Sequence, residues 1–414
     1  MKIVGLITEY NPFHNGHLHH INSAKQLTGA DYVVVVMSGN FLQRGTPAVI
    51  DKYNRTRMAL SCGADLVIEL PCVFATSSAE SFAFGAVSIL TKMGCIDYLC
   101  FGSEYGDITV LRSIAEILAN EPAKFKEYLK SYLKCGLTFP VARKKALLDY
   151  TSNSSITNDS LEHILSEPNN ILAIEYIKAI IKQNSSMEPL TIQRVVSGYH
   201  DLSIHHTICS ASAIRAALKS KGLDSFKNQV PECVYEILLQ EYNKTFPIFP
   251  NDFSSLLKYR LILKNSKPLT AYLDVSTSLS NTIENNISNF RNFEDFADLL
   301  KSKQYTHTRI TRSLIHILLN IESKTPVEET GNESAYYIRI LGFHKSSSQL
   351  LSFIHDNTSI PMLSKLADSK NYLNSDGLDM LEQDIYSSDI YNTIVTDKFG
   401  CSIPNEFRQN IIIM

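Results

Sequence analysis

None of the eight cysteines, at positions 62, 72, 95, 100, 135, 209, 233 and 401, forms a C-x-x-C pair. Their scatter argues against a disulfide framework and a four-cysteine zinc site, and predicts reduced thiols in a cytoplasmic protein. No stretch approaches the roughly 18–20 consecutive apolar residues needed to cross a bilayer. The first apolar stretch is broken by Thr8 and Glu9, too short for a signal-peptide core, and lacks a small-residue cleavage site. Neither sign of charge dominates, with 39 Lys and Arg against 42 Asp and Glu and a formal charge of -3. That balance excludes a histone-like polycation but leaves room for a local basic patch. Tryptophan, internal repeats and low-complexity tracts are also missing.

What is present is ordinary globular material. Apolar residues make up 44% and charged residues 20% of the chain, which excludes wholesale disorder. A length of 414 residues predicts two or three domains. Over the first hundred residues, short apolar runs alternate with helical stretches. Lys2–Thr8, Tyr32–Met37, Asp65–Leu70 and Asp97–Phe101 read as strands; Gly16–Thr28, Asp51–Cys62 and Ser78–Lys92 read as helices. Runs with little alternation, separated by helices, predict a doubly wound parallel α/β sheet that binds ligands beyond its strand carboxyl ends.

From about 107 to 185 the pattern turns helical, with Ile108–Asn120, Pro122–Cys135, Val141–Tyr150 and Ile171–Ile181 as candidates. Thr191–Val195 then reads as a returning strand and Ser212–Lys221 as a helix. The expectation is an α/β nucleotide-binding domain over 1–245 carrying a helical insertion. A mainly helical C-terminal domain should follow over 246–414, its boundary at the two prolines of Phe246–Asp252, with helices to about 385 and a strand or two in Asp389–Met414.

The strongest chemical signal is His14-Asn15-Gly16-His17, placed where the first strand passes into the first helix. Gly16 lets a phosphate approach the backbone, and a helix start directs N–H groups at it. Two imidazoles three residues apart can donate to phosphoryl oxygens whose charge grows in the transition state. Cys209-Ser210-Ala211-Ser212-Ala213-Ile214-Arg215 is a weaker second signal. Ser210 and Ser212 are N-cap types, and Ser212 with Arg215 can bind a triphosphate through hydroxyl and guanidinium groups. His17, His19 and His20 have no Cys or carboxylate at ligand spacing, so no protein-built metal site is expected.

Together, H-x-G-H and S-x-S-x-I-R resemble the HIGH-type nucleotidylyltransferase superfamily. Gly5–His20, Met37–Gly45, Asp51-Lys52, Phe101-Gly102-Ser103-Glu104, Pro168–Leu172 and Gly198–Asp201 resemble, more narrowly, the bacterial tRNA(Met) cytidine acetate ligase family. Tyr305–Arg312 and Tyr337–Phe343 extend the resemblance toward the C-terminus; Ala211 departs from it where many superfamily members carry a second hydroxyl. The resemblance implies a Rossmann-like fold and an ATP-dependent ligase. Acetate would be activated as acetyl-adenylate, with Mg2+ accompanying ATP, and passed to N4 of the wobble cytidine of elongator tRNA(Met). It also implies that the segment Ile7, Thr8, Glu9, Tyr10, Asn11, Pro12, Phe13, His14, Asn15, Gly16, His17, Leu18, His19 and His20 wraps ATP. Gly102, Arg194 and either Asn169 or Asn170 would complete that site, with His14, His17, Ser212 and Arg215 acting on the phosphates.

Arg44, Lys52 and Arg55 follow the second strand and can receive an anion such as acetate or an RNA phosphate; Lys52 and Arg55 can equally form a solvated helix face. Tyr199-His200-Asp201 is a candidate proton acceptor or a polar turn. For RNA, Lys301, Lys303, Arg309 and Arg312 lie in a stretch without acidic residues, with Tyr305 and His307 offering faces for stacking. Arg339 beside Tyr336 and Tyr337 is a second candidate. Neither DNA nor a membrane is expected as a partner. Two rivals share these motifs: an adenylyltransferase acting on a phosphorylated cofactor precursor, and a non-catalytic RNA-binding protein that keeps a nucleotide pocket.

Overall fold

The computed structural model describes residues 1–152, 158–194, 209–263, 267–323 and 334–414. Its centre is a sheet of eight strands: β1 (Ile3–Thr8), β2 (Tyr32–Ser38), β3 (Leu66–Leu70), β4 (Tyr98–Ser103), β5 (Glu188–Gln193), β6 (Ile338–Phe343), β7 (Met362–Leu363) and β8 (Ile412–Ile413). Their spatial order is β8-β6-β3-β2-β1-β4-β5, with β7 on the free length of β6. Strands β3, β2, β1, β4 and β5 run parallel, so the order reverses beside β1. A crevice therefore opens between the carboxyl ends of β1 and β4, the place where doubly wound sheets bind ligands.

The four inner parallel strands, β1 to β4, bury both faces, while β5 at the edge is half-buried. Val34, Val36, Leu66, Ile68 and Leu99 face one core with α3 (Ala79–Lys92) and α4 (Pro168–Lys182). Val33, Val35, Val67 and Cys100 face the other, with α1 (Asn15–Thr28), α2 (Lys52–Ser61) and α5 (Ala211–Lys221). This two-sided burial is why the runs read as continuous rather than alternating. The first four strands and three helices match their expected bounds to within two residues. The returning strand begins at Glu188, three residues before its expected start. The insertion contains the four expected helices and a further one, Asn158–Ile164, which the sequence reading missed.

The C-terminal half is mainly helical and has its own core around Phe253, Phe293, Phe296, Leu314 and Tyr391. It is not confined to that body. Ile338–Phe343, within a stretch where helical patterns were expected to dominate, is strand β6, antiparallel to β3, and it brings β7 and β8 with it. The expected C-terminal strands reduce to Ile412–Ile413, because residues up to Phe399 continue the long helix α7 (Ser375–Phe399). Chain beyond residue 246 thus completes the N-terminal sheet. Among the described residues no helix is long and apolar enough to cross a membrane.

Candidate active site at the carboxyl edge of the sheet

The chain leaves β1 at Thr8, turns through Tyr10 in the left-handed region and a cis Asn11-Pro12 bond, and enters α1 at Asn15. His14 is the helix N-cap, where Ser, Thr, Asp or Asn is usual. Its Nδ1 accepts the Gly16 N–H at 3.1 Å, and His17 Nδ1 accepts the His14 N–H at 3.2 Å. This is a capping box built from two histidines. Each Nδ1 is an acceptor and so carries no proton, which leaves both rings as neutral imidazoles with the hydrogen on Nε2. The rings stack with centroids 3.7 Å apart. Tyr10 and Phe13, both buried, hold the His17 ring at centroid distances of 4.8 and 5.5 Å.

Electrostatics reinforce the neutral state. Burial, then the positive charges of Arg194 and Arg215, lower the His14 pKa to about 3. Burial, His14, Arg194 and His20 hold His17 well below its ordinary value. Burial and Arg194 lower His20 to about 4. The site thus presents two fixed Nε2–H donors beside two guanidinium groups, an arrangement suited to a polyanion such as a triphosphate.

Arg215 reaches this loop from α5. Its Nη1 donates to the Asn11 carbonyl at 2.9 Å and its Nη2 to Ser212 Oγ at 3.1 Å. Burial lowers its pKa to about 10, so it remains a cation at neutral pH. The helix begins one residue earlier than expected, and its N-cap is Ser210, whose Oγ accepts the Ala213 N–H. Ser212 instead lies within the first turn and orients Arg215.

On the opposite wall, Gly102 lies on β4, where a Cβ would come within 3.2 Å of Arg194 Cγ. Arg194 continues the β4–β5 ladder through its N–H to Ser103 O and is exposed at the rim of the site. Glu104, whose sequence context signals no role, caps α4 from outside. Its carboxylate accepts the Asn169 side-chain amide and the Asn170 N–H. Asn170 is fully buried, with Oδ1 accepting the Tyr105 N–H. Asn169 is half-buried at the helix start and is the better placed of the two to meet a ligand.

A family model described as HIGH Nucleotidyl Transferase matches residues 1–402. The chain is 44% identical over 392 residues to a tRNA(Met) cytidine acetate ligase of Thermoanaerobacter sp., covering 94% of this chain and 95% of that protein. It is 42% identical over 419 residues to the ligase of that name from Acetivibrio thermocellus, covering 100% of both. The chain belongs to the tRNA(Met) cytidine acetate ligase family. Its fold superposes on Thermotoga maritima TmcAL solved with alpha-thio ATP bound, with a TM-score of 0.92, 33% identity, and 100% and 99% of the two chains covered. The apo form of TmcAL gives a TM-score of 0.94 at 33% identity, with 100% of both chains covered.

Several residues expected in this ligase-family site serve the scaffold instead. Side chains of Tyr10, Asn11, Pro12 and Phe13 are buried in protein, with Asn11 Oδ1 accepting the Val49 N–H, so this stretch can offer a ligand only its backbone. Lys52 is fully buried and forms ion pairs with Glu69 at 2.8 Å and Glu406 at 3.1 Å, so it is not a surface receiver of anions. Arg55 is also fully buried. It donates to the carbonyls of Ile50, Glu9, Ser38 and Gly39, tying the ends of β1 and β2 together. Arg44 is exposed on the hairpin Phe41–Pro47, which docks on α6 (His307–Leu319) through Thr311 Oγ1 to the Arg44 carbonyl. Gly45 in that hairpin has φ +68, and a Cβ there would collide with the Thr311–Arg312 backbone.

The C-terminal RNA patch is also reduced. Tyr305 is 4% exposed, with its hydroxyl on Ser276 and its ring covered by the Arg309 guanidinium, so it offers no face to a base. Arg312 is paired with Asp274 at 2.9 Å, and His307 lies 3.4 Å from Asp298. Lys301 and Lys303 remain exposed. Arg339 is 3% exposed and paired with Glu69 and Glu406, so it is part of the core rather than an RNA contact. Tyr199-His200-Asp201 lies outside the described residues.

The depressed imidazoles predict acid sensitivity. In the unfolded chain a histidine binds its proton near pH 6.5, whereas His14 and His20 resist protonation down to about 3 and 4. The unfolded state therefore binds more protons throughout that interval, and stability falls as pH drops below about 6.5. Urea midpoints of the ligand-free protein should decline from pH 7 to pH 5, and His20→Leu should flatten the decline. Parallel curves for the two proteins would show that His20 contributes nothing to it.

Proposed function

We propose that this chain is an ATP-dependent ligase that acetylates N4 of the wobble cytidine, position 34, of elongator tRNA(Met), forming N4-acetylcytidine. The observation that carries the reading is the pair of locked, neutral Nε2–H donors, His14 and His17, beside Arg215 and Arg194, at the switch point of the sheet. The names of the full-length relatives supply the acceptor and the acid. In the first step an acetate oxygen attacks the α-phosphorus of ATP, and the bond from that phosphorus to the bridging oxygen breaks. Pyrophosphate leaves with the electron pair, its growing charge met by His14, His17 and Arg215, while Ser212 orients Arg215. The site around Ile7–His20, Gly102, Asn169 and Arg194 holds the nucleotide, and exposed Arg44 is the cation placed to attract the acid.

The product, acetyl-adenylate, is a mixed anhydride. Activation is needed because acetate is a poor acyl donor and the cytosine amine, delocalised into its ring, is a poor nucleophile. In the second step N4 attacks the acyl carbon, the bond from that carbon to the AMP oxygen breaks, and AMP departs while the amine's proton passes to the leaving phosphate or to water. Among the described residues no three His, Cys, Asp or Glu side chains cluster as a metal cage. Mg2+ keeps several water ligands and is carried by nucleotide phosphates, so it would enter with ATP. Bound there, it would supply further charge neutralisation on the phosphates. A tRNA acceptor supports a cytoplasmic enzyme whose partner is RNA rather than DNA or a membrane.

The intermediate can be trapped. Hydroxylamine supplied with ATP, Mg2+ and acetate should yield acetohydroxamate, and labelled acetate supplied with tRNA should appear on a single cytidine. A protein that binds ATP yet yields label in neither product would overturn the assignment.

A further inference from the structure

We infer that the helical hairpin of the insertion, Ala123–Lys134 and Phe139–Thr151, is a docking surface for the phosphate backbone of the tRNA acceptor, a surface distinct from the stretch around residues 301–312. The inference rests on the tRNA reading above. Residues 123–151, the hairpin itself, carry seven Lys or Arg against Glu127 and Asp149, a local excess of five in a chain whose net charge is -3. Lys126, Lys130 and Lys134 recur every fourth residue and are all exposed, forming a stripe about 12 Å long on one helix face. Like charges at this spacing repel and weaken a helix, and an anion laid along the stripe removes that penalty.

The acidic groups around the stripe are few. Glu127 lies on the same helix, Asp149 of the second helix accepts the Tyr132 hydroxyl at 2.6 Å, Glu121 is 3.7 Å from Lys126 at its start, and Glu162 is 3.8 Å from Lys144; the last two pairs are solvent-exposed and screened. Exposed Lys124 and Lys145 widen the basic surface, their ammonium groups over the rings of Tyr128 and Tyr132. Near the turn of the hairpin, Phe139 is 50% exposed with the Arg143 guanidinium 5.9 Å from its ring. A row of cations leading to an exposed aromatic ring matches RNA, which presents a row of phosphates and, where unpaired, bases that stack.

Position supports the same occupant. Arg143 also pairs with Glu175 at 2.8 Å, joining the hairpin to α4, the helix whose first turn carries Asn169 at the nucleotide site. RNA lying on the stripe is therefore anchored on the element that borders the chemistry. By contrast, pairing and burial already engage Arg312, Arg309 and Tyr305 in the C-terminal stretch.

The triple variant Lys126→Glu/Lys130→Glu/Lys134→Glu should bind tRNA at least tenfold more weakly near 0.1 M salt. Its plot of log affinity against log salt should be shallower by about two to three units, because each lost phosphate contact removes about one. ATP- and acetate-dependent hydroxamate formation should equal that of the wild type, which also reports an intact fold. The matching Lys→Gln triple keeps helix propensity and should give an intermediate loss. Wild-type affinity and salt slope in the charge-reversed protein, from a wild type that acetylates tRNA, would overturn the surface. Binding of the stripe to anionic vesicles with no effect on RNA would overturn it as well. If the wild type binds tRNA through the stripe but acetylates none, the acceptor assignment falls and the RNA surface stands.

Discussion

His17→Ala is expected to slow acetyl-adenylate formation by about 10²–10³-fold at saturating ATP, the usual cost of removing one preorganised donor from a developing anion. The capping geometry permits a sharper version. His17 Nδ1 accepts the His14 N–H, so alanine removes both a cap and a donor. Gln at the same third helical position commonly closes a capping box. His17→Gln should therefore recover the stability that alanine loses, on the order of 1 kcal/mol for a cap, while catalysis stays impaired. Hydroxamate rates measured beside urea midpoints separate the two effects. Normal turnover in both variants would remove His17 from the chemistry.

Arg339→Met is expected to cost about 3–5 kcal/mol of stability, the range for removing one partner from a buried ion pair. Arg339 donates to Glu69 and Glu406, which also share Lys52, so two carboxylates and two cations balance inside the protein. Burial opposes ionisation of Glu406, yet Lys52 and Arg339 outweigh it and hold its carboxyl down at about 2. Removing Arg339 leaves two buried carboxylates facing one ammonium. This cluster joins β3 and α2 of the α/β sheet to β6 and the C-terminal residues. Urea unfolding of variant and wild type at pH 7 measures the loss, and a change below about 1 kcal/mol would show that the cluster does not hold the two halves together.

The contrast between these two sites shows what a linear reading can reach. Phosphate chemistry was legible at His14-x-x-His17 because helix geometry brings residues three apart together and the glycine between them is local to the turn. Their tautomers were not legible from composition, although Nδ1 capping needs only the helix start and in retrospect follows from His14 being the N-cap. Ser212 and Arg215 were legible for the same local reason; the choice of Ser210 as cap was not, since adjacent serines compete and packing of the helix decides.

Lys52 and Arg55 resisted sequence reading altogether. On a linear chain a cation after a strand looks solvated, and nothing local to Lys52 announces Glu406, more than 350 residues away, as its counter-ion. Arg339 inside the apolar run Ile338–Phe343 was misleading for the same reason, because a charge in a buried strand is affordable only once distant carboxylates neutralise it. Tyr305 likewise looked like a stacking face until α6 and Ser276 enclosed it. The parallel α/β core, the nucleotide turn and the family are written in short-range properties: strand burial, helix starts and motif spacing. Which cations face solvent and which are neutralised inside depends on the folded chain, because burial and charge pairing join residues far apart in it.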